Sequence, residues 1–120
     1  MPADVRAAYL QPYDSWAHRV AVLRFVQDIP LQPGDPGYDI VSATQEGLAR
    51  LQDVPMLICW GMRDFVFDHH FLAEWQRRFP RAEVQRFADA GHYILEDAAE
   101  EIIPRVSRFL SEQPQPATVP

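Results

Sequence analysis

Two polar residues follow the two most strand-like runs of the chain, and their types suit acid–base chemistry. Asp64 comes shortly after Gly61, which ends the apolar run 56–60, and His92 follows the run 83–88. A carboxylate that accepts the imidazole Nδ1–H holds one tautomer and stabilises the cation formed when Nε2 takes a proton. The residue types therefore indicate a histidine base oriented by an aspartate.

The elements around these residues predict that Asp64 and His92 meet. The run 56–60 is too short for a helix and is bounded by Pro55 and Gly61, as in a strand buried on both faces of a parallel sheet. A helical pattern starts after Asp68 and stops at Pro80, before the second run. Strand, helix and strand in this order form a right-handed parallel βαβ unit. Chemistry in such sheets collects beyond the carboxyl ends of the strands.

The motifs at these two loops resemble those of a known family. Pro-x-Leu-x-x-Trp-Gly-x-x-Asp at 55–64, and Gly-His-Tyr at 91–93 with Glu-Asp at 96–97, resemble the C-terminal part of α/β-hydrolases. The resemblance is closest to the haloalkane dehalogenase-like branch, and within it to the β-lactone decarboxylases of bacterial olefin biosynthesis. It covers roughly residues 9–110. It implies that Asp64 is the triad acid and His92 the triad base, with the nucleophile upstream.

The sequence departs from the family pattern at the nucleophile. It contains no Gly-x-Ser-x-Gly or Gly-x-Asp-x-Gly elbow and no His-Gly oxyanion segment before the acid. None of the four serines has flanking glycines: Ser15, Ser42, Ser107 and Ser111. With two of three triad members, the chain is expected to be inactive alone, as a fragment or a module that needs a partner chain. Dehalogenase, β-lactone, esterase and epoxide hydrolase chemistry all stay open, because the missing elbow distinguishes them.

The predicted fold class is α/β, as the C-terminal part of an α/β-hydrolase. By the resemblance, residues 1–37 are the end of a helical cap and a linker loop, and residues 38–110 are the βαβα end of the core. Residues 111–120, rich in proline, are expected to be a flexible tail.

The helical patterns predict where the other elements begin and end. One helix is expected over 16–27, capped by Asp14 or Ser15, and another over 39–51, with an alternative start at Ser42. The last helix is expected to begin at Asp97, which has capping-box spacing to Glu100, and to kink or restart at Pro104. The tryptophans Trp60 and Trp75 and the phenylalanines are expected in the core.

The composition of the chain limits the kinds of molecule that it is expected to bind. A net charge of −6 argues against nucleic acid, and no stretch approaches the ~20 apolar residues of a membrane span. Cys59 is the only cysteine, which fits a cytoplasmic protein. No cofactor or metal is expected, since adjacent His69 and His70 should point apart with no cluster to complete a site. The expected partners are a small apolar substrate in the complete enzyme and a second copy or the N-terminal part at the sheet edge.

Overall fold

The computed structural model describes residues 1–113, which form two compact units. The first unit is Met1–Leu51 and the second begins at Gln52. Asp64 and His92 both belong to the second unit. The predicted division after residues 37 and 110 refers to parts of a larger fold and stays a prediction.

The first unit is entirely helical. Its elements are α1 (Ala3–Leu10), 3₁₀ turns at Gln11–Tyr13 and Ala17–Arg19, α2 (Val20–Gln27), α3 (Tyr38–Gly47) and a 3₁₀ turn at Leu48–Leu51. None of residues 1–51 is buried. The apolar residues of α2, such as Leu23 and Val26, are therefore in solvent in this chain.

Helix starts in this unit differ from two expectations. The predicted helix 16–27 begins as a 3₁₀ turn, although Ser15 Oγ does accept the His18 backbone N–H at 3.3 Å. The alternative start at Ser42 is wrong, because α3 begins at Tyr38. The residue before it, Gly37, has φ +84°, a left-handed conformation that favours glycine and ends the preceding loop there.

The second unit holds the predicted βαβ arrangement. Its elements are β1 (Leu57–Gly61), α4 (His69–Arg78), β2 (Glu83–Phe87), α5 (Ile94–Asp97) and α6 (Ala99–Glu112). The strands are parallel and paired from Leu57 with Glu83 to Gly61 with Phe87, so both end at the same edge. Within residues 1–113 the sheet has these two strands, and β1 has a neighbour on one side only.

The core of this unit lies under the carboxyl ends of the strands. α6 packs against β1. The cluster consists of buried Phe87, Ala90, Ala98 and Ile102, with Cys59 and Ile94 packed against it. Burial raises the pKa of the Cys59 thiol above its usual range. The loop that follows β2 is thus anchored on this cluster through Ala90.

The expectation that the aromatic residues form the core is only partly right. Phe79 and Phe87 are buried, and Trp60 and Trp75 are half-buried. Phe25 and Phe65 are instead 77% and 83% exposed. They lie on α2 and on the loop after β1, and neither position is covered by another layer of the described chain.

The end of the chain differs from its prediction in three respects. Asp97 ends α5 and does not cap α6, whose N-cap is Ala98, because the Asp97 carboxylate is bonded elsewhere. α6 continues through Pro104 without a restart. The missing proline N–H removes only one hydrogen bond, and the other bonds of this 14-residue helix remain. Ser111 and Glu112 are helical, so the expected tail does not begin at 111, and residues 114–120 lie outside the described part.

In residues 1–113 no helix is long and apolar enough to cross a membrane.

Candidate active site

Asp64 lies in the tight turn that follows β1. Its backbone N–H donates to the Gly61 carbonyl at 3.2 Å. Its carboxylate Oδ1 accepts the backbone N–H groups of Val66 at 2.8 Å and Phe67 at 2.9 Å. The Asp64 carboxylate therefore stabilises the same turn that positions it, and its place on the loop is closely defined.

Backbone hydrogen bonds join the loop of Asp64 to the loop of His92. The Met62 N–H donates to the Phe87 carbonyl and the Arg63 N–H to the Ala90 carbonyl, both at 2.9 Å. This pairing continues the ladder of β1 and β2 past their last residues. It places His92, two residues after Ala90, beside Asp64.

Gly61 makes this close approach possible. A Cβ atom built on Gly61 would lie 2.4 Å from the Gly91 carbonyl oxygen and 2.7 Å from that of Ala90. Backbone atoms at these distances cannot give way. The residue after Trp60, at the end of β1, must therefore be glycine on steric grounds. A Cβ on Gly91 would meet nothing closer than 3.6 Å.

The side chains of Asp64 and His92 are in contact, as the sequence predicts. The His92 Nδ1 lies 3.1 Å from both carboxylate oxygens of Asp64. The Asp64 side chain is 11% exposed and that of His92 is 32% exposed. An Nδ1–H shared between two oxygens leaves Nε2 available to take or give a proton.

The environment keeps Asp64 ionised. Burial raises the pKa of its carboxyl, but the N–H groups of Phe67 and Val66 and the imidazole of His92 outweigh it, so the pKa lies below the usual 3.8. At neutral pH the carboxylate is therefore negative beside the His92 ring. A negative partner at Nδ1 stabilises the imidazolium that forms when Nε2 gains a proton.

Aromatic rings surround the imidazole. The ring centroids of Phe65, Phe67 and Tyr93 lie 5.9, 5.6 and 5.6 Å from that of His92. Phe67 also meets Phe71, the third residue of α4, edge to face at 5.2 Å. These rings remain substantially exposed in this chain. Molecules that approach His92 meet an apolar, aromatic surface.

Asp97 is a residue of this region whose role the sequence does not reveal. Its Oδ2 accepts the backbone N–H of Gly91, the neighbour of His92, at 3.0 Å. The sequence does show Glu96 and Asp97 four and five residues after His92. However, the capping-box spacing of Asp97 to Glu100 predicts that Asp97 caps the last helix, not that it bonds to Gly91.

The His69–His70 pair differs from its prediction. Asp68 caps α4 by accepting the His70 N–H at 2.9 Å, and all three side chains are exposed. The two rings do not point apart: their centroids are 4.0 Å apart, and Asp68, His69 and His70 each offer a ligand atom within 4.8 Å of the others. No preceding turn restricts χ1 at the start of a helix, so the rings can lie side by side, tilted by 38°. Among residues 1–113, Asp68, His69 and His70 are the group whose spacing could hold a metal ion, and all three side chains are exposed.

Comparisons with known proteins identify the family of the fold. Residues 2–99 match the model of the alpha/beta hydrolase fold. The chain is 53% identical to a cis-3-alkyl-4-alkyloxetan-2-one decarboxylase of Shewanella oneidensis over 98% of its length and 37% of that protein. It is 46% identical to the protein of the same name in Xanthomonas campestris over 95% of its length and 38% of that protein. It is 31% identical to haloalkane dehalogenase 1 of Mycobacterium tuberculosis over 88% of its length and 35% of that protein. The chain thus spans a little over a third of the length of these relatives.

Proposed function

The chain belongs to the alpha/beta hydrolase fold family, and on this premise we propose that it supplies the acid and the base of a hydrolase-type active site. In this proposal His92 is the general base and Asp64 is the residue that orients it. The observation that carries the proposal is the contact of His92 Nδ1 with both oxygens of Asp64 at 3.1 Å. The lowered pKa of Asp64 supports it, because an ionised partner is the form the role needs.

The proposed chemistry begins after a covalent ester has formed on a nucleophile that these 120 residues do not supply. Neither an elbow with a flanked serine nor one with a flanked aspartate occurs among them. A water molecule loses a proton to His92 Nε2 while its oxygen attacks the ester carbonyl carbon. The resulting imidazolium is stabilised by Asp64. It then returns the proton to the oxygen that leaves as the ester C–O bond breaks.

We propose a small apolar ester as the substrate class, and among such esters a β-lactone that carries alkyl groups. The aromatic rings of Phe65, Phe67 and Tyr93 around His92 suit alkyl groups near the reacting carbon. The two relatives at 53% and 46% identity are named as decarboxylases of alkyl-substituted oxetan-2-ones, which are β-lactones. The more distant relative, at 31%, is named for haloalkanes, which are also small and apolar.

Two observations favour a second function. The missing elbow and the unpaired side of β1 in the described residues favour a chain that is inactive until it associates with another polypeptide. The two candidates differ in what this chain contributes to the assembled protein: a working acid and base in the first, and association alone in the second. The first candidate function requires only that the Asp64–His92 pair operates when another polypeptide supplies a nucleophile.

A chimera tests the proposal. The 37% of the Shewanella oneidensis relative that matches this chain is replaced by this chain, and turnover of a cis-3-alkyl-4-alkyloxetan-2-one is measured. We expect turnover by the chimera and no turnover by the isolated chain. Changing His92→Ala or Asp64→Asn should lower kcat by about 10²–10⁴, as expected for members of a triad.

His18→Ala is the matched control. His18 also pairs with an aspartate, Asp14, at 2.6 Å, but on the exposed surface of the first unit. Its removal should leave turnover unchanged. An active chimera that keeps its rate after His92→Ala would refute the assignment, whereas turnover by the isolated chain would refute the need for an external nucleophile.

A further inference from the structure

Asp97 contacts both neighbours of His92 in the chain. Its carboxylate Oδ2 accepts the Gly91 N–H at 3.0 Å, and its own backbone N–H donates to the Tyr93 carbonyl at 3.1 Å. One residue therefore bonds to the backbone immediately before and immediately after the histidine.

Other restraints on this segment act at different points. The Arg63 N–H holds the Ala90 carbonyl, two residues before His92, and Asp64 holds the imidazole itself. Gly91 lies between them and has the least restricted backbone of any residue type. The space beside its Cα is open, since a Cβ there would meet nothing closer than 3.6 Å, and the part of Gly91 that packs closely is its carbonyl oxygen, over Gly61. The Asp97 carboxylate holds the Gly91 N–H, and thereby the peptide bond that enters the Gly91–His92 segment from Ala90.

We propose that Asp97 is a positioning residue that fixes the backbone of His92, so that Nδ1 faces both oxygens of Asp64 and Nε2 faces the substrate. The inference rests on the proposed role of His92 as base. It adds a second carboxylate to the site, one that acts through Gly91 and does not touch the reacting atoms.

Charge strengthens the bond on which the proposal depends. A carboxylate that accepts an N–H is a stronger partner than a neutral oxygen. The Gly91 N–H lowers the pKa of Asp97 below its usual value of 3.8, so the carboxylate is ionised wherever His92 could act as a base. The segment 91–93 is accordingly held throughout the pH range in which an imidazole titrates.

The tautomer of His92 reports the effect without any turnover. Long-range ¹H–¹⁵N NMR of the full chain at pH 8 separates imidazole protonated on Nδ1 from imidazole protonated on Nε2. We expect Nδ1–H to dominate in the unaltered chain, because Asp64 accepts from it. Asp97→Ala should lower the ratio of Nδ1–H to Nε2–H by roughly twofold or more as the imidazole loses its alignment with Asp64.

Two further variants separate positioning from general loss of structure. Asp97→Asn keeps an oxygen that can accept the Gly91 N–H, so it should restore most of the Nδ1–H population. Asp89→Ala removes a carboxylate from the same loop, but one that pairs with Arg63 on the surface at 84% exposure, and it should leave the tautomer ratio unchanged. An Asp97→Ala protein with the unaltered ratio would overturn the proposal, as would an equal loss in Asp89→Ala.

The unaltered chain provides a measurement that no folding failure of a variant can obscure. The Gly91 amide proton should shift as the Asp97 carboxyl titrates, with a midpoint below 3.8. A Gly91 amide that does not respond to acid in this range would show that the bond is absent in solution and would overturn the proposal. Because neither measurement uses turnover, an inactive chimera would count against the proposed function and not against the role of Asp97.

Discussion

Asp64 is placed for two roles at once. One is to cap a turn, and its Oδ1 does accept the N–H groups of Val66 and Phe67. The other is to orient His92, and both oxygens face Nδ1 at 3.1 Å. A carboxylate has about four acceptor sites, so the two roles do not compete. The turn holds the carboxylate in place for the histidine.

The lowered pKa of Asp64 makes stability depend on pH. A carboxyl whose pKa is lower in the folded than in the unfolded state stabilises the fold above its unfolded pKa. That contribution is lost as the pH falls through the folded value. Here the window lies below about pH 4, since the usual value is 3.8. At pH 6 we expect Asp64→Asn to reduce the free energy of unfolding by about 1–2 kcal/mol, from weakened charge-assisted hydrogen bonds.

Urea unfolding of both proteins between neutral and strongly acidic pH checks this expectation. The difference between them should shrink as the pH falls, because the protonated Asp64 carboxyl resembles the asparagine amide. Other acidic groups affect both proteins alike and cancel from the difference. A difference that stays constant or grows in acid would contradict the assigned direction of the pKa.

At the scale of the elements, the loop after β1 and the loop after β2 are tightly constrained where they meet. Gly61 ends β1 where the carbonyls of Ala90 and Gly91 pass directly over it. Gly61→Ala should therefore push the loop of His92 away and lower the free energy of unfolding by about 2–3 kcal/mol or more, as overpacking does. It should also lengthen the contact between Asp64 and His92. Gly91→Ala is the control, since a Cβ there has room.

Thermal unfolding and the His92 ring signals measure both effects. We expect a clear fall in Tm and a shifted His92 resonance for Gly61→Ala, with little change for Gly91→Ala. Equal destabilisation by both substitutions would mean that the loops do not approach as closely as described.

At the scale of the chain, the sheet is the feature that demands a partner. In residues 1–113 β1 pairs with β2 alone, and a two-stranded sheet is marginal in water. The apolar residues Leu57 and Trp60 of β1 are only half-buried. An unpaired edge presents backbone groups that another strand can bond. We therefore expect the isolated chain to form a dimer through this edge or to aggregate.

Sedimentation at several concentrations, combined with amide exchange of β1, checks this expectation. Association should increase with concentration, and the exchange of β1 amides should slow as it does. A monomer that persists to nanomolar concentration with slow exchange throughout β1 would contradict it. Fusion to the matching part of a longer relative should remove the association, because the added chain would cover the edge.

Local sequence was enough to predict the strands, the helix between them, and the two side chains, Asp64 and His92, that meet beyond the strands. The apolar run between Pro55 and Gly61 predicts β1, and the run 83–88 predicts β2, each to within one residue, and the position of Asp68 predicts the start of α4. These features depend on neighbouring residues and on the hydrophobic period, both of which are visible in a linear chain. The meeting of Asp64 and His92 follows from the right-handed βαβ rule together with the family motifs.

Features that depend on atoms distant in the chain emerge only from the packed fold. The bond of Asp97 to Gly91 is hidden in the sequence because local spacing to Glu100 predicts a helix cap, and a contact across a loop outweighs it. Phe65, expected in the core, lies 83% exposed beside His92 because no layer of the described chain covers that loop. Only the packed backbone shows why residue 61 must lack a side chain. Hydrophobicity and spacing predict elements, whereas long-range contacts decide which groups those elements bring together.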